Sequence, residues 1–384
     1  MSLYNSSITP KLPKVETSVF AVMSQMAADY NAVNLSQGFP DFEIPEELIG
    51  LVHKHMQEGR NQYAPMKGIK RLRDAISLRY STAYNAEYDP DDEITITAGA
   101  TQAIYTAISA FVRDDDEVII FEPAYDLYAP TIRMNGGTVK YYSMALPDFS
   151  INWKEVNRMV NGNTRMIIIN TPHNPSGSVL SDYDMRQLEK IVEGRDIIVL
   201  SDEVYEHLIY DEHQHHSAAA YPEIASRCFV MGSFGKTLHA TGWKVGYALA
   251  PAYLMKEFRK LHQFVVFAVN TPVQHAIADY LEHHDLSGLS PFYQQKRDYF
   301  LEKIAASRFK PIPAKGTYFQ VLDYSEISDM PEADFAEHLI KNFGIAAIPM
   351  SPFYHQKINL NQLRFCFAKK TETIDKATSI LCRI

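Results

Sequence analysis

The chain is predicted to be an α/β protein: a mainly parallel sheet lying between helices, joined to a smaller α/β unit. Three observations point there. Short runs at 93–97, 117–121, 165–170, 196–201, 228–231 and 245–250 are nearly continuously apolar, and helical patterns separate them. Strands that are apolar on both sides belong to a sheet covered on both faces, which is the habit of parallel sheets. After about residue 285 the pattern changes to a helix, a strand at 316–322 and more helix, which marks a separate unit. The 384 residues suffice for two domains and a sizeable core. The expected division is 1–40 as an N-terminal arm and part of the small domain, 41–284 as the large domain and 285–384 as the C-terminal small domain. Pro10, Pro13, Gly38 and Pro40 punctuate the arm, with one helix near 17–30.

With 46% hydrophobic and 22% charged residues the composition is that of an ordinary globular protein. A net charge of −9 disfavours nucleic acid and anionic membranes as partners. The cysteines Cys228, Cys366 and Cys382 are odd in number and show no CxxC or metal spacing, so they read as reduced thiols of a cytoplasmic protein. No secretory h-region opens the chain and no run of about 18 apolar residues occurs, which also fits the cytoplasm. His213, His215 and His216 read as a solvated loop rather than a metal site. The scattered methionines read as core filling.

Several polar motifs follow directly on strand candidates, at the edge where open α/β sheets form their ligand crevice. One is Ser233-Phe234-Gly235-Lys236-Thr237, and Lys244 comes eight residues after Lys236. An amine held in a crevice can form a Schiff base with an aldehyde cofactor, and a second cation with a hydroxyl suits a phosphate. A lysine after a strand is, taken alone, more often a solvated surface group. Two other readings lack required parts. Ser233-x-x-Lys236 has neither the Ser-Asp-Asn nor the Lys-Thr-Gly of β-lactamases. Gly235-Lys236-Thr237 has Val230 where a P-loop needs glycine.

The motifs Leu35-Ser36-Gln37-Gly38-Phe39-Pro40-Asp41-Phe42, Asn61-Gln62-Tyr63, Gly99-Ala100-Thr101, Asn170-Thr171-Pro172-His173-Asn174-Pro175, Ser201-Asp202-Glu203-Val204-Tyr205, the lysine segment and Arg364-Phe365-Cys366-Phe367 occur in that order. Each is weak alone; together the chain resembles the class I/II, fold type I aminotransferases that depend on pyridoxal 5′-phosphate (PLP). It is most similar to the branch of kynurenine, glutamine and methionine aminotransferases. The resemblance spans Phe20 to Ala368. It implies a large domain with a mainly parallel seven-stranded sheet, a PLP cofactor and a homodimer whose active sites are shared between subunits.

The resemblance also implies roles. Lys236 would carry PLP and act as base and then acid. Asp202, at the end of an apolar run, would pair with the pyridine nitrogen and keep the ring an electron sink; its bland alternative is a helix N-cap. Asn174 and Tyr205 would donate to the phenolate oxygen, although Asn174-Pro175 by itself reads as a turn. Gly99, Ala100 and Thr101 precede a helical run at 102–112, so free amides and a positive dipole end face the phosphate. Ser233 and Lys244 would complete that site, with Tyr63 reaching in from the other subunit. Tyr125 matches the aromatic stacked on the ring, or else a core aromatic. Arg364, a charge within an apolar run, would grip the substrate carboxylate bidentately, with a backbone contact from Gly38.

The implied reaction is ping-pong transamination with a 2-oxo acid. Phe20, Phe39, Tyr125 and Phe267, the last from the neighbouring subunit, would line the side-chain pocket. Such a pocket favours methionine, phenylalanine, tyrosine, leucine, glutamine or kynurenine over aspartate. Phe20 stands where kynurenine enzymes tend to carry tryptophan, which argues against strong kynurenine activity. One methylene is worth only about 1–3 kcal/mol in such a pocket, so broad specificity with methionine or aromatic substrates is expected. A cysteine-S-conjugate β-lyase would share every cofactor residue. A PLP-binding transcription regulator would need a basic helix-turn-helix that the first 40 or so residues lack.

Overall fold

The computed structural model describes residues 10–13, 15 and 17–384; positions 1–9, 14 and 16 of the expected arm lie outside the described residues. In chain order the strands are β1 (Val33–Asn34), β2 (Ile94–Thr97), β3 (Glu117–Glu122), β4 (Thr138–Ser143), β5 (Thr164–Asn170), β6 (Ile198–Asp202), β7 (Cys228–Ser233), β8 (Gly246–Leu249), β9 (Lys310–Ile312), β10 (Phe319–Asp323), β11 (Ile345–Ala346), β12 (Ile348–Pro349) and β13 (Gln362–Cys366). Seven form one sheet in the order β2-β8-β7-β6-β5-β3-β4. The neighbours from β7 to β4 are parallel, whereas β8 runs antiparallel to both β2 and β7.

The continuous apolar runs have a simple cause. Successive side chains point to opposite faces, and both faces are covered. Val118, Ile120, Met166, Ile168, Leu200, Phe229 and Met231 pack with Ala103, Ile104, Ile108 and Phe258 of the helices Gly99–Phe111 and Ala252–Val265. Ile119, Ile167, Ile169, Val199 and Val230 face the other way, into the core shared with Ile76, Tyr80, Leu188 and Ile277.

Three features depart from the sequence reading: the small unit carries β9, β11, β12 and β13 besides β10, where a single strand among helices is expected, and two strands differ as follows. β4 was not among the strand candidates. It is the sheet edge, and its Thr-Val-Lys-Tyr-Tyr-Ser run is mostly half-buried or exposed, so the apolar signal is weak. The strand expected at 316–322 begins only at Phe319. Its leading Gly316 is wedged against Pro172 and the Leu208 carbonyl, where an added Cβ would stand 2.7 and 2.8 Å away.

A second sheet, β12-β13-β10-β9, is antiparallel throughout. The helices Leu289–Lys303 and Thr371–Leu381 accompany it. β1 pairs in parallel with β11 and so ties the segment before residue 40 to the C-terminal strands. The expected N-terminal helix spans Val19–Asp29. Among the described residues no helix is long and apolar enough to cross a membrane.

Candidate active site

The C-terminal ends of the parallel strands open into a cleft of about 160 Å³, lined by Gly99, Ala100, Thr101, Tyr125, Asn174, Asp202, Tyr205, Ser233, Lys236 and Lys244. Residues distant in sequence meet there because each follows a strand at the same edge. Asn170 closes β5, Asp202 closes β6 and Ser233 closes β7, after which the single turn Phe234–Thr237 carries Lys236.

Lys236 Nζ donates to the Tyr318 hydroxyl at 2.9 Å and to the Gly38 carbonyl at 3.3 Å. Burial pushes its pKa down to about 8, and the charges of Lys244 and Arg364 act in the same direction. Desolvation disfavours the charged form of a lysine, so a useful fraction of the amine is neutral near physiological pH.

Asp202 is buried, and burial pushes its carboxyl up to about 6. The Tyr128 hydroxyl opposes that shift by donating to Oδ2 at 2.6 Å. Asn170 braces the same corner. Its Nδ2 donates to the Asp202 carbonyl and its Oδ1 accepts from the Asn174 amide, each at 2.8 Å.

Arg364 lies on β13 between β12 and β10 and is almost wholly buried. It donates to Asn174 Oδ1 at 2.6 Å and to the Ser36 carbonyl at 3.2 Å, while its Nε is buried without a partner. Its guanidinium carbon lies 3.8 Å from the ring centre of Phe319, 5.1 Å from that of Phe20 and 5.4 Å from that of Phe353. Burial lowers its pKa to about 10. Among the described residues no carboxylate forms an ion pair with it. A buried guanidinium braced by neutral groups, with one N–H left over, suits an incoming carboxylate. Phe20 is placed beside it by the helix Val19–Asp29, and Ser18 at the start of that helix donates to Asp126 Oδ2 at 3.0 Å.

The donor set fits a phosphorylated aldehyde with a basic ring nitrogen. Gly99 begins the helix Gly99–Phe111 with φ +75°, and a Cβ there would stand 3.3 Å from Lys244 Nζ. Free amides, an ammonium group and the Ser233 hydroxyl thus converge without a side chain intervening. Asp202 supplies an anion and Lys236 an amine in the same cleft.

Other expected site residues lie elsewhere in this chain. Tyr63 is 83% exposed and Phe267 is 49% exposed; their rings meet edge-to-face at 5.4 Å, outside the cleft. Gly38 reaches the site through its carbonyl, and Phe39, 40% exposed, lies under the Lys369 ammonium.

The histidine reading needs correction. His215 is not solvated, since its Nε2 meets buried Glu203 Oε2 at 2.8 Å, and His216 meets the Tyr221 hydroxyl at 3.2 Å. Ser201 and the Ala218 amide also donate to Glu203, at 2.7 and 2.8 Å. The turn after Asp202 is therefore anchored from below.

Sequence reasoning missed Asn170, Tyr128 and Tyr318 as site residues. Asn170 ends an apolar strand in the same manner as Asp202, and that signal was available. The two tyrosines sit in runs that read as core.

Residues 30–381 match the model of the aminotransferase class I and II family. The methionine aminotransferase of Escherichia coli K12 is 44% identical over 96% of this chain and 97% of its own. The kynurenine–oxoglutarate transaminase of Dictyostelium discoideum is 35% identical over 96% and 94%. A crystal structure of an Escherichia coli protein with methionine aminotransferase function superposes with a TM-score of 0.96, covering 98% of this chain and 99% of that one at 44% identity.

Proposed function

The chain belongs to the class I and II aminotransferases, which depend on PLP, and from that premise we propose that it moves the amino group of methionine and other large neutral or aromatic amino acids to a 2-oxo acid. One observation carries the reading: a lysine amine and a buried carboxyl line one cleft, and Asn174 on its wall accepts from a buried guanidinium whose Nε has no partner. PLP supplies an aldehyde that takes up amino groups and a cationic ring that draws electrons from the adjacent carbon.

In this reading the amides at Gly99–Thr101, with Ser233 and Lys244, hold the phosphate. Asp202 would pair with the ring nitrogen, Tyr125 would stack on the ring, and Asn174 and Tyr205 would donate to its phenolic oxygen. Arg364 turns its free N–H to the substrate α-carboxylate, and Gly38 adds a backbone contact. Lys236 Nζ, neutral in part because of burial, would take the α-proton as a general base and then, as an acid, deliver it to the cofactor's aldehyde carbon. Phe20, Phe319 and Phe353 crowd the guanidinium, which favours apolar side chains over acidic ones. Residues 41–284 form the cofactor-binding unit, while 285–384 with part of 1–40 bring Arg364 and Phe20. A second copy brings Tyr63 and Phe267, whose exposed rings await cover, and the pair works in the cytoplasm.

The test has two arms. Borohydride reduction of the yellow holoenzyme should fix the cofactor to the peptide containing Lys236; a label elsewhere overturns the site. A panel of twenty amino acids against several 2-oxo acids should rank methionine and aromatic donors above aspartate; the reverse order overturns the substrate class.

A further inference from the structure

We propose that the Tyr318 hydroxyl, with the Gly38 carbonyl, forms a berth that receives the free amine of Lys236, so that Tyr318 is a catalytic residue in contact with the reacting nitrogen.

Tyr318 is firmly held. It follows Gly316 and Thr317 at the approach to β10. Gly316 is wedged against Pro172 and Leu208, and the Thr317 carbonyl accepts from the Tyr210 hydroxyl. The Tyr318 ring is fully buried, with ring centres 5.1 Å from Tyr205 and 5.9 Å from Tyr293. Its single proton goes to the Gly38 carbonyl at 2.6 Å. The oxygen lone pairs therefore remain for Lys236 Nζ at 2.9 Å, and the Gly38 carbonyl stands 3.3 Å from the same nitrogen.

Two oxygen acceptors around one nitrogen favour its ammonium form. Neither acceptor is charged, because burial drives the Tyr318 hydroxyl pKa far up and keeps it protonated. A carboxylate in this place would lock the ammonium; neutral dipoles hold it and can let it go. Lys244 and Arg364 push in the opposite sense, towards the neutral amine. The berth thus balances the two protonation states of the amine that turnover alternates between. The Nζ lone pair takes the proton from the substrate α-carbon, the ammonium rests on Tyr318 Oη and the Gly38 carbonyl, and the same proton then passes to the cofactor's aldehyde carbon, which gains the electron pair that the α-carbon gives up. Nζ itself is neither oxidised nor reduced. The inference rests on Lys236 being the cofactor lysine.

The test uses Tyr318→Phe, with Tyr293→Phe as the control. Tyr293 is a neighbouring buried tyrosine whose hydroxyl meets His239 Nδ1 at 2.8 Å, and among the described residues it makes no hydrogen bond to Lys236. In cofactor-stripped protein, acylation of Lys236 by acetic anhydride is followed against pH by peptide mass spectrometry. Tyr318→Phe should move the midpoint to lower pH, because the ammonium loses an acceptor, while Tyr293→Phe should match wild type. In the holoenzyme Tyr318→Phe should lower kcat for methionine about tenfold with little change in KM. An unmoved midpoint overturns the berth. Should Tyr318→Phe not fold, 3-fluorotyrosine at position 318 keeps the ring and weakens the oxygen as an acceptor; the midpoint should again fall, and an unchanged value is equally fatal. Borohydride trapping on wild type reports separately on the cofactor lysine. A shifted midpoint without trapping would leave the berth standing and remove the cofactor assignment.

Discussion

Asp202 shows how a single residue can trade stability for chemistry. Its folded pKa of about 6 lies above the ordinary 3.8. The protonated carboxyl is therefore the form that the cofactor-free fold prefers. That contribution is complete below the ordinary value and is lost as pH rises through about 6. A shift of this size corresponds to about 3 kcal/mol. Asp202→Asn should thus stabilise the cofactor-free protein at pH 8 by up to about 3 kcal/mol in urea unfolding, with the gain fading towards pH 4, while cofactor retention falls. No stability gain at pH 8 would show that the buried carboxylate is not under strain. Arg364 makes a second case. Arg364→Leu removes the free N–H and should raise KM for methionine far more than it changes cofactor retention, as steady-state kinetics and cofactor absorbance would report. Arg364 was legible because a charge inside an apolar run demands a partner, and Asp202 because its motif resembles that of a known family. Tyr318 and Tyr128 were not, because a tyrosine in an apolar run is ordinary core until its hydroxyl is seen to meet an amine or a carboxylate.

At the scale of elements, the helix Gly99–Phe111 joins sequence to site. It starts on a glycine at φ +75°, where a side chain would be strained and would crowd Lys244 at 3.3 Å. Gly99→Ala should lower cofactor affinity, read as a raised dissociation constant in absorbance titration, at a stability cost of about 1 kcal/mol. The helix Asp182–Val192 offers the contrast. Ser181 and Asp184 form a capping box at its start, and neither lines the cleft. Ser181→Ala should cost about 1 kcal/mol in unfolding and leave kcat unchanged; a fall in kcat would tie that helix to the site. Strands with both faces covered could be read from the chain, because burial on two sides leaves a continuous apolar run. The edge strand β4 could not, since its outer residues answer to solvent.

At the scale of the whole molecule, Tyr63 and Phe267 stand exposed together. An exposed aromatic pair is costly to leave in water. If a second copy covers these rings, as proposed, Phe267→Asp should give single chains in sedimentation and lower turnover with it; a monomer of full activity would show that each chain carries a complete site.

The amino-acid order determined the sheet class through its apolar runs, and the order of the motifs, by their resemblance to a family, singled out the lysine, the buried carboxyl and the arginine, because both kinds of pattern are recorded in one dimension. Tertiary structure decided the rest. Tyr318 and Lys236 lie far apart in sequence, and only the packing of the loop before β10 against the turn after β7 sets oxygen against nitrogen at 2.9 Å. The anchoring of the Asp202 turn by His215 through Glu203 is of the same kind. Hydrogen bonds depend on distance and angle between side chains, and periodicity carries no information about either.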